Sequence, residues 1–226
     1  MIEIDSLQAP TEVQTANRSR AYHLLAQSFG FPSAAFYELI RTGEYWQALS
    51  GLLSELPFDL RLSNLESPAA KLGAIDVEYQ DFEAAYIRLF DIGATGRPPC
   101  PLHAGEYATA SRLKVMEELI RCYEYFGLTL PERDRELPDH VTTEFEFMHY
   151  LAFKEAHALH TNLDPAPYRR AQADFLERHP ATWLPLLRRR LSRQQPLAFF
   201  EALVGVTDEL VRADLGYLNT LAQLGS

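Results

Sequence analysis

The chain has 226 residues, with 21 lysines and arginines against 31 aspartates and glutamates, for a formal net charge of −10. That excess of negative charge repels phosphate backbones and anionic lipid surfaces, which argues against nucleic acid or a membrane face as partner, while a basic peptide is drawn to it. Hydrophobic residues make up 47% and charged residues 23%, an ordinary globular composition with enough apolar material for a sizeable core. The two cysteines, Cys100 and Cys122, fit no CxxC or zinc spacing and form no disulfide framework, so a reducing compartment suits the chain. The opening MIEIDSLQAPTEVQTANRSR lacks a basic start followed by an apolar run, and no apolar stretch reaches membrane-spanning length. A cytoplasmic protein is expected.

Residues 1–14 are polar and expected to be flexible, with one helical domain over 15–226. Ala21, Leu24, Leu25, Ser28 and Phe29 form the first helical stripe, stopped near Gly30 and Pro32. Phe36, Leu39 and Ile40 mark a second helix ending at Gly43, and Tyr45 to Leu56 a third, stopped by Pro57. Residues 57–67 read as a loop. Ile75, Tyr79, Phe82, Tyr86 and Leu89 share one face of a fourth helix, which ends in the glycine- and proline-rich DIGATGRPPCPLH. The next helix is expected from about Glu106 to Phe126, with Gly127 as its stop and ERDREL as a charged loop. Pro138 and Asp139 then open a helix whose stripe is Val141, Phe145, Met148, Ala152, Ala156 and Leu159, and Asp139 is a candidate N-cap. A helix from Pro165 to before Pro180, another over Trp183–Arg193 and a last over Leu197–Leu224 bring the total to roughly nine or ten. No stretch alternates as a strand does, so the fold class is all-α.

Three kinds of chemistry are candidates. Glu146 and His149 stand three apart on one helix, the spacing of a di-iron half-site, but a second Glu-x-x-His is missing, and His157 and His160 have no matching acidic helix. No bound metal or other cofactor is therefore expected, and a helical metalloprotein using Glu146 and His149 is the enzymatic alternative. Cys100 lies near His103 in the proline loop, without the orienting third group that an activated thiol needs. Neither GxSxG, P-loop nor GxGxxG is present. The third candidate is a peptide groove. Tyr86-Ile87-Arg88-Leu89-Phe90 precedes the proline loop, Leu137-Pro138-Asp139-His140 opens the later helix, and His140 and Glu144 lie one turn apart. Residues 132–146 carry six acidic and two basic side chains. Apolar anchors bordered by carboxylates suit a basic, partly apolar segment.

EAAYIRLFDIG, then PPCPLHAGEY, then LPDHVTTEFEFMHYLA together resemble the TorD/DmsD/NarJ family of redox enzyme maturation proteins, over about residues 16–222. Tyr86 stands where some members carry Trp, and the GRPPCPLH loop ends differently from their serine-containing loops. The resemblance implies a non-enzymatic chaperone dedicated to a dimethyl-sulfoxide-reductase-type molybdoenzyme, nearest the branch serving nitrate-reductase- and dimethyl-sulfide-dehydrogenase-type enzymes. Such a chaperone binds the catalytic subunit's N-terminal leader, often a twin-arginine one, and holds the apo form until the molybdopterin cofactor is in place, delaying export. It implies Tyr86, Leu89 and Phe90 on one side of the leader, Pro99 or Pro101 in the loop, and Pro138, Asp139 and His140 opposite. Glu144 joins them from helical spacing alone. An arginine fork could donate two hydrogen bonds to Asp139 or Glu144, which lysine cannot copy. The partner is then the catalytic subunit and its leader, the chaperone being a monomer or a domain-swapped dimer. The non-enzymatic alternative is a general helical adaptor for folded partners.

Overall fold

The computed structural model describes residues 10–62, 67–73, 75–91, 96–129 and 136–224. The expected flexible N-terminus lies outside these as far as residue 9, as do most of the ERDREL loop and part of the DIGATG segment. Among the described residues there are ten α-helices: α1 Glu12–Ser28, α2 Ala34–Arg41, α3 Glu44–Ser54, α4 Pro68–Leu72, α5 Tyr79–Tyr86, α6 Arg112–Tyr125, α7 Val141–His160, α8 Ala166–Arg178, α9 Pro180–Leu191 and α10 Ala198–Leu224. No strand occurs among them. One isolated antiparallel bridge pairs His103 with His140.

Local chemistry sets most of the boundaries. The first helix begins earlier than its apolar stripe suggests, because Thr11 and Gln14 form a capping box that satisfies the free N–H groups of the first turn. Ser33 and Ser111 cap α2 and α6 through their side chains. The start of α6 at Arg112 is later than the expected Glu106, which instead closes a single 3-10 turn over Ala104–Glu106. Gly127 ends α6 at φ 72°, and Leu128 N–H reaches back to Tyr123 O at 3.0 Å, a Schellman closure. The expected fourth helix is shorter than its stripe. Ile75 precedes it, because the Val77 carbonyl accepts from the Tyr37 hydroxyl at 2.8 Å, and the helix opens only after Glu78. At its other end it passes into a π turn over Ile87–Asp91, so Leu89 and Phe90 point inward from a widened turn.

The long helices α1 and α7 lie side by side, and α10 packs across α8 and α9. Phe82, Phe199 and Phe200 form an aromatic nucleus where α5 meets α10, with Phe82 and Phe200 stacked at 4.9 Å. The interface of α1, α7, α8 and α10 is not purely apolar. Arg18 of α1 is wholly buried and donates to Glu155 of α7 at 2.8 Å and to Gln172 of α8, while its Nε lies 3.3 Å from Asp214 of α10. Tyr22 donates to the other Asp214 oxygen at 2.8 Å, and Arg169 and Gln172 complete the shell of Glu155. Burial alone would lower the Arg18 pKa, but the facing charges of Asp214 and Glu155 outweigh it and raise it above the ordinary value.

Arg18 thus serves two carboxylates, sharing Glu155 with Arg169 and facing Asp214. Replacing Arg18 by Met removes the charge while keeping much of the volume, and leaves Glu155 and Asp214 buried and under-paired. The expected loss is about 3–5 kcal/mol in urea denaturation, with no rescue in Arg18→Lys, whose compact ammonium lacks the spread of the guanidinium fork that reaches acceptors on three helices. A loss under about 1 kcal/mol in Arg18→Met would show the network to be dispensable.

Candidate functional site

The two motif blocks meet in space. Cys100 N–H donates to Leu89 O at 3.0 Å, which ties the proline loop to the π turn. Four residues on, Ala104 N–H donates to Asp139 O, and Val141 N–H donates to Leu102 O, both at 2.8 Å. The loop from 100 to 107 is therefore stitched along the entrance to α7. Tyr107 donates to Pro101 O and Tyr123 to Pro138 O, each at 2.9 Å, so both prolines sit under a phenol hydroxyl.

Asp139 is the centre of this clasp and has no exposed surface. Its carboxylate accepts from Arg112 Nε at 2.9 Å and Arg112 Nη2 at 3.2 Å, and from Gly105 N–H at 3.2 Å, with His103 Nδ1 at 3.3 Å. A Cβ on Gly105 would lie 2.4 Å from the Arg112 side chain and 2.9 Å from Asp139 Oδ2, so only glycine lets the chain approach this closely. Burial pushes the Asp139 carboxyl up, but hydrogen bonds and charge from His103 and Arg112 prevail and hold it at about 2.

Two expectations about Asp139 are corrected here. The N-cap of α7 is His140, whose Nδ1 accepts from Thr142 N–H at 3.3 Å, while Asp139 faces the other way into the clasp. Its charge is also matched within the chain, by the Arg112 guanidinium, rather than offered to an incoming arginine. His140 is buried, with its ring edge-on to His103 at 4.9 Å and Nε2 3.8 Å from Glu136. Burial first, and the neighbouring His103 second, lower its pKa to about 3.

Glu144, one turn into α7, is wholly buried and accepts from Trp183 Nε1 at 3.0 Å. Burial raises its pKa well above the ordinary range and the Trp183 hydrogen bond only partly opposes this, so the carboxyl is a core group and does not face a groove. Trp183 stacks on Tyr107 at 5.5 Å, and the Arg190 guanidinium caps Tyr107 at 4.3 Å. A row of Arg190, Tyr107, Trp183 and Glu144 thus fastens α9 to the same loop.

Tyr86, Leu89 and Phe90 lie beneath this surface. Leu89 has no exposure, Tyr86 and Phe90 are each 7% exposed, and Phe90 packs edge-on to Phe200 at 5.3 Å. Tyr86 donates to Phe29 O at 2.9 Å. Of the expected site residues, only Pro99 is more than marginally exposed; Pro101 and Pro138 are buried. The surface above them is supplied by residues that sequence motifs did not mark. Phe31 is 55% exposed and stands edge-on to Tyr86 at 5.6 Å, and Leu137 is 45% exposed, its carbonyl held by Thr143 at 3.0 Å. Glu136 is exposed and lies beside His140, its carboxylate 3.8 Å from the ring Nε2. The remaining acidic residues of 132–135 fall outside the described residues.

The other candidates separate clearly. Cys100 is buried, and desolvation raises its thiol to about 11, so it is protonated and unreactive at neutral pH. His160 pairs with Glu12 at 3.1 Å, away from His157. Glu146 and His149 do project together, and His23 of α1 joins them, with one donor atom from each within 4.8 Å of the others. No helix among the described residues is long and apolar enough to cross a membrane.

The clasp makes a pH-dependent contribution that can be measured. Because the folded state lowers the Asp139 pKa from 3.8 to about 2, its stabilisation is present above the unfolded value and fades as pH falls toward 2. Asp139→Asn should cost about 2 kcal/mol at pH 7, and the gap to the native chain should shrink once pH drops below about 4. Equal stability at pH 7, or a gap independent of pH, would remove the charge of Asp139 from the clasp.

Comparison with known sequences places this geometry in a family. A sequence model described as the nitrate reductase delta subunit matches residues 62–189, which contain the π turn, the proline loop, the clasp and Trp183. A perchlorate reductase assembly chaperone protein of Dechloromonas aromatica is 36% identical over 203 residues, covering 88% of each chain. A selenate reductase assembly chaperone protein of Thauera selenatis is 38% identical over 148 residues, 64% of this chain and 76% of that one. A dimethyl sulfide dehydrogenase assembly chaperone protein of Rhodovulum sulfidophilum is 32% identical over 228 residues, 96% of this chain and 88% of its own. The chain belongs to the nitrate reductase delta subunit family, within the TorD/DmsD/NarJ group of redox enzyme maturation proteins that its motif blocks resemble.

Proposed function

We propose that this protein is a cytoplasmic assembly chaperone for the catalytic subunit of a molybdenum-dependent oxidoreductase, acting by stoichiometric binding and not by catalysis. The observation that carries this reading is the similarity, over 88% of both chains, to a protein named as a perchlorate reductase assembly chaperone. Its client belongs to the same broad class as the reductases and dehydrogenase named for the relatives. The chaperone holds the client's N-terminal leader while the apo subunit acquires its molybdopterin cofactor, and so delays export.

The leader docks on the rim of the clasp. Phe31 and Leu137 supply exposed apolar anchors, Pro99 is a half-buried part of the proline loop, and Glu136 offers a carboxylate to a leader arginine. Tyr86, Leu89, Phe90, Pro101, Pro138, Asp139, His140 and Glu144 serve from beneath, holding the two halves of the rim at a fixed distance. An exposed ion pair at Glu136 contributes only about 0.2–1 kcal/mol, so the apolar anchors carry most of the affinity. The net charge of −10 steers a basic leader toward the protein without fixing where it binds.

The test is capture of a purified catalytic subunit in its precursor form and in a form lacking the leader. The precursor should be retained and the leaderless form should bind at least tenfold more weakly. Phe31→Ala, at an exposed position, should weaken precursor binding by a similar factor without lowering the melting temperature. Equal capture of both forms would replace leader binding with the reading of a general adaptor for the folded subunit.

A further inference from the structure

The pairing of α1 with α7 creates a second cluster that the chaperone reading does not use. His23 projects from α1, and Glu146 and His149 project from α7 one turn apart, the donor atoms of all three lying within 4.8 Å of one another. His23 Nδ1 is 3.0 Å from Glu146 Oε1, and the two imidazole rings are 4.8 Å apart at their centres. Two imidazoles and one carboxylate from two rigid helices form a donor set that suits a divalent first-row transition metal and leaves further coordination positions for water.

The hydrogen bonds around the cluster favour that use. Ser19 Oγ donates its one proton to His149 O at 2.9 Å, so at His149 Nδ1, 2.8 Å away, the hydroxyl oxygen is an acceptor. His149 Nδ1 also lies 3.1 Å from Ser19 O. Both contacts require a proton on Nδ1, which in the neutral ring leaves the Nε2 lone pair free to bind a cation. A histidine whose second nitrogen is anchored to a main-chain carbonyl has the tautomer and orientation of a metal ligand. At His23 the Gln27 amide lies 3.1 Å from Nε2 and orients that ring in turn. The His23 and Glu146 side chains are each 44% exposed, so solvent ions reach them. Donors around one metal stand about 3.4 Å apart in tetrahedral geometry, so closing from the present separation needs only small torsions of these half-exposed chains.

We propose that His23, Glu146 and His149 form a binding site for a divalent transition-metal ion that staples α1 to α7. On binding, His23 and Glu146 exchange their mutual hydrogen bond for metal ligation: the His23 proton moves from Nδ1 to Nε2, where the Gln27 amide turns its oxygen to accept it, and Nδ1 is freed for the metal with no net proton released. The site lies on different side chains from the rim, so leader binding and metal binding can fail independently.

Zinc titration of the chelator-stripped full-length protein, followed by calorimetry and melting curves, tests the site. One zinc per chain and a raised melting temperature are expected. His23→Gln and Glu146→Gln, at half-exposed positions, should each keep the fold and weaken zinc at least tenfold, whereas His157→Gln with His160→Gln should bind as the native chain does. His149→Ala also removes the Ser19 contacts, so the two half-exposed variants decide the matter. Cobalt replacing zinc should show only nitrogen and oxygen ligation. A sulfur-to-cobalt charge-transfer band, the absence of stoichiometric zinc binding, or unchanged affinity in the His23→Gln, Glu146→Gln double variant would overturn the proposal.

Discussion

A guanidinium shut away from water determines how the main helices of this protein meet. Arg18 must find acceptors, and the ones it finds lie on α7, α8 and α10. Sliding α1 along α7 by one turn would take Arg18 from Glu155, which keeps only Arg169, and leave Asp214 without its cation. The register fixed in this way has consequences at two places along α7. Toward its middle it brings His23 beside Glu146 and His149. At its start it holds the helix N-terminus in place for the proline loop to lie along it.

The clasp at that start applies the same rule on a smaller scale. Asp139 is buried, so its charge needs partners, and Arg112 at the start of α6, with His103 of the proline loop beside it, meets that need. The clasp is a support rather than a groove. The family's recognisable Pro-Asp-His stretch is thus buried structure carrying an exposed rim, on which the leader-binding proposal relies.

Much of the helical architecture is legible in the sequence because apolar stripes and proline or glycine stops are local signals. The stripes of α5 and α7 mark their buried faces, and Gly127 ends α6 as expected. What is not legible depends on distant partners. Ile75 continues the α5 stripe, yet a tyrosine from α2 holds the Val77 carbonyl and delays the helix. Asp139 looks like a cap because aspartate commonly caps. Its true partner Arg112 is 27 residues upstream, and an imidazole takes the capping role instead. Glu146 and His149 form an incomplete half-site by spacing alone, since His23 stands 123 residues before Glu146. Phe31 follows a helix stop and carries no motif, so only its position over Tyr86 marks it.

The claim that function resides on the rim above a rigid clasp can be tested by hydrogen–deuterium exchange of the protein with and without a saturating twin-arginine leader peptide. Added protection should appear around Phe31 and over residues 99–107 and 136–140, with exchange in the middle of α10 unchanged. Protection centred elsewhere, for instance between α6 and α8 around Tyr125 and Tyr168, or no change at a saturating peptide concentration, would contradict it.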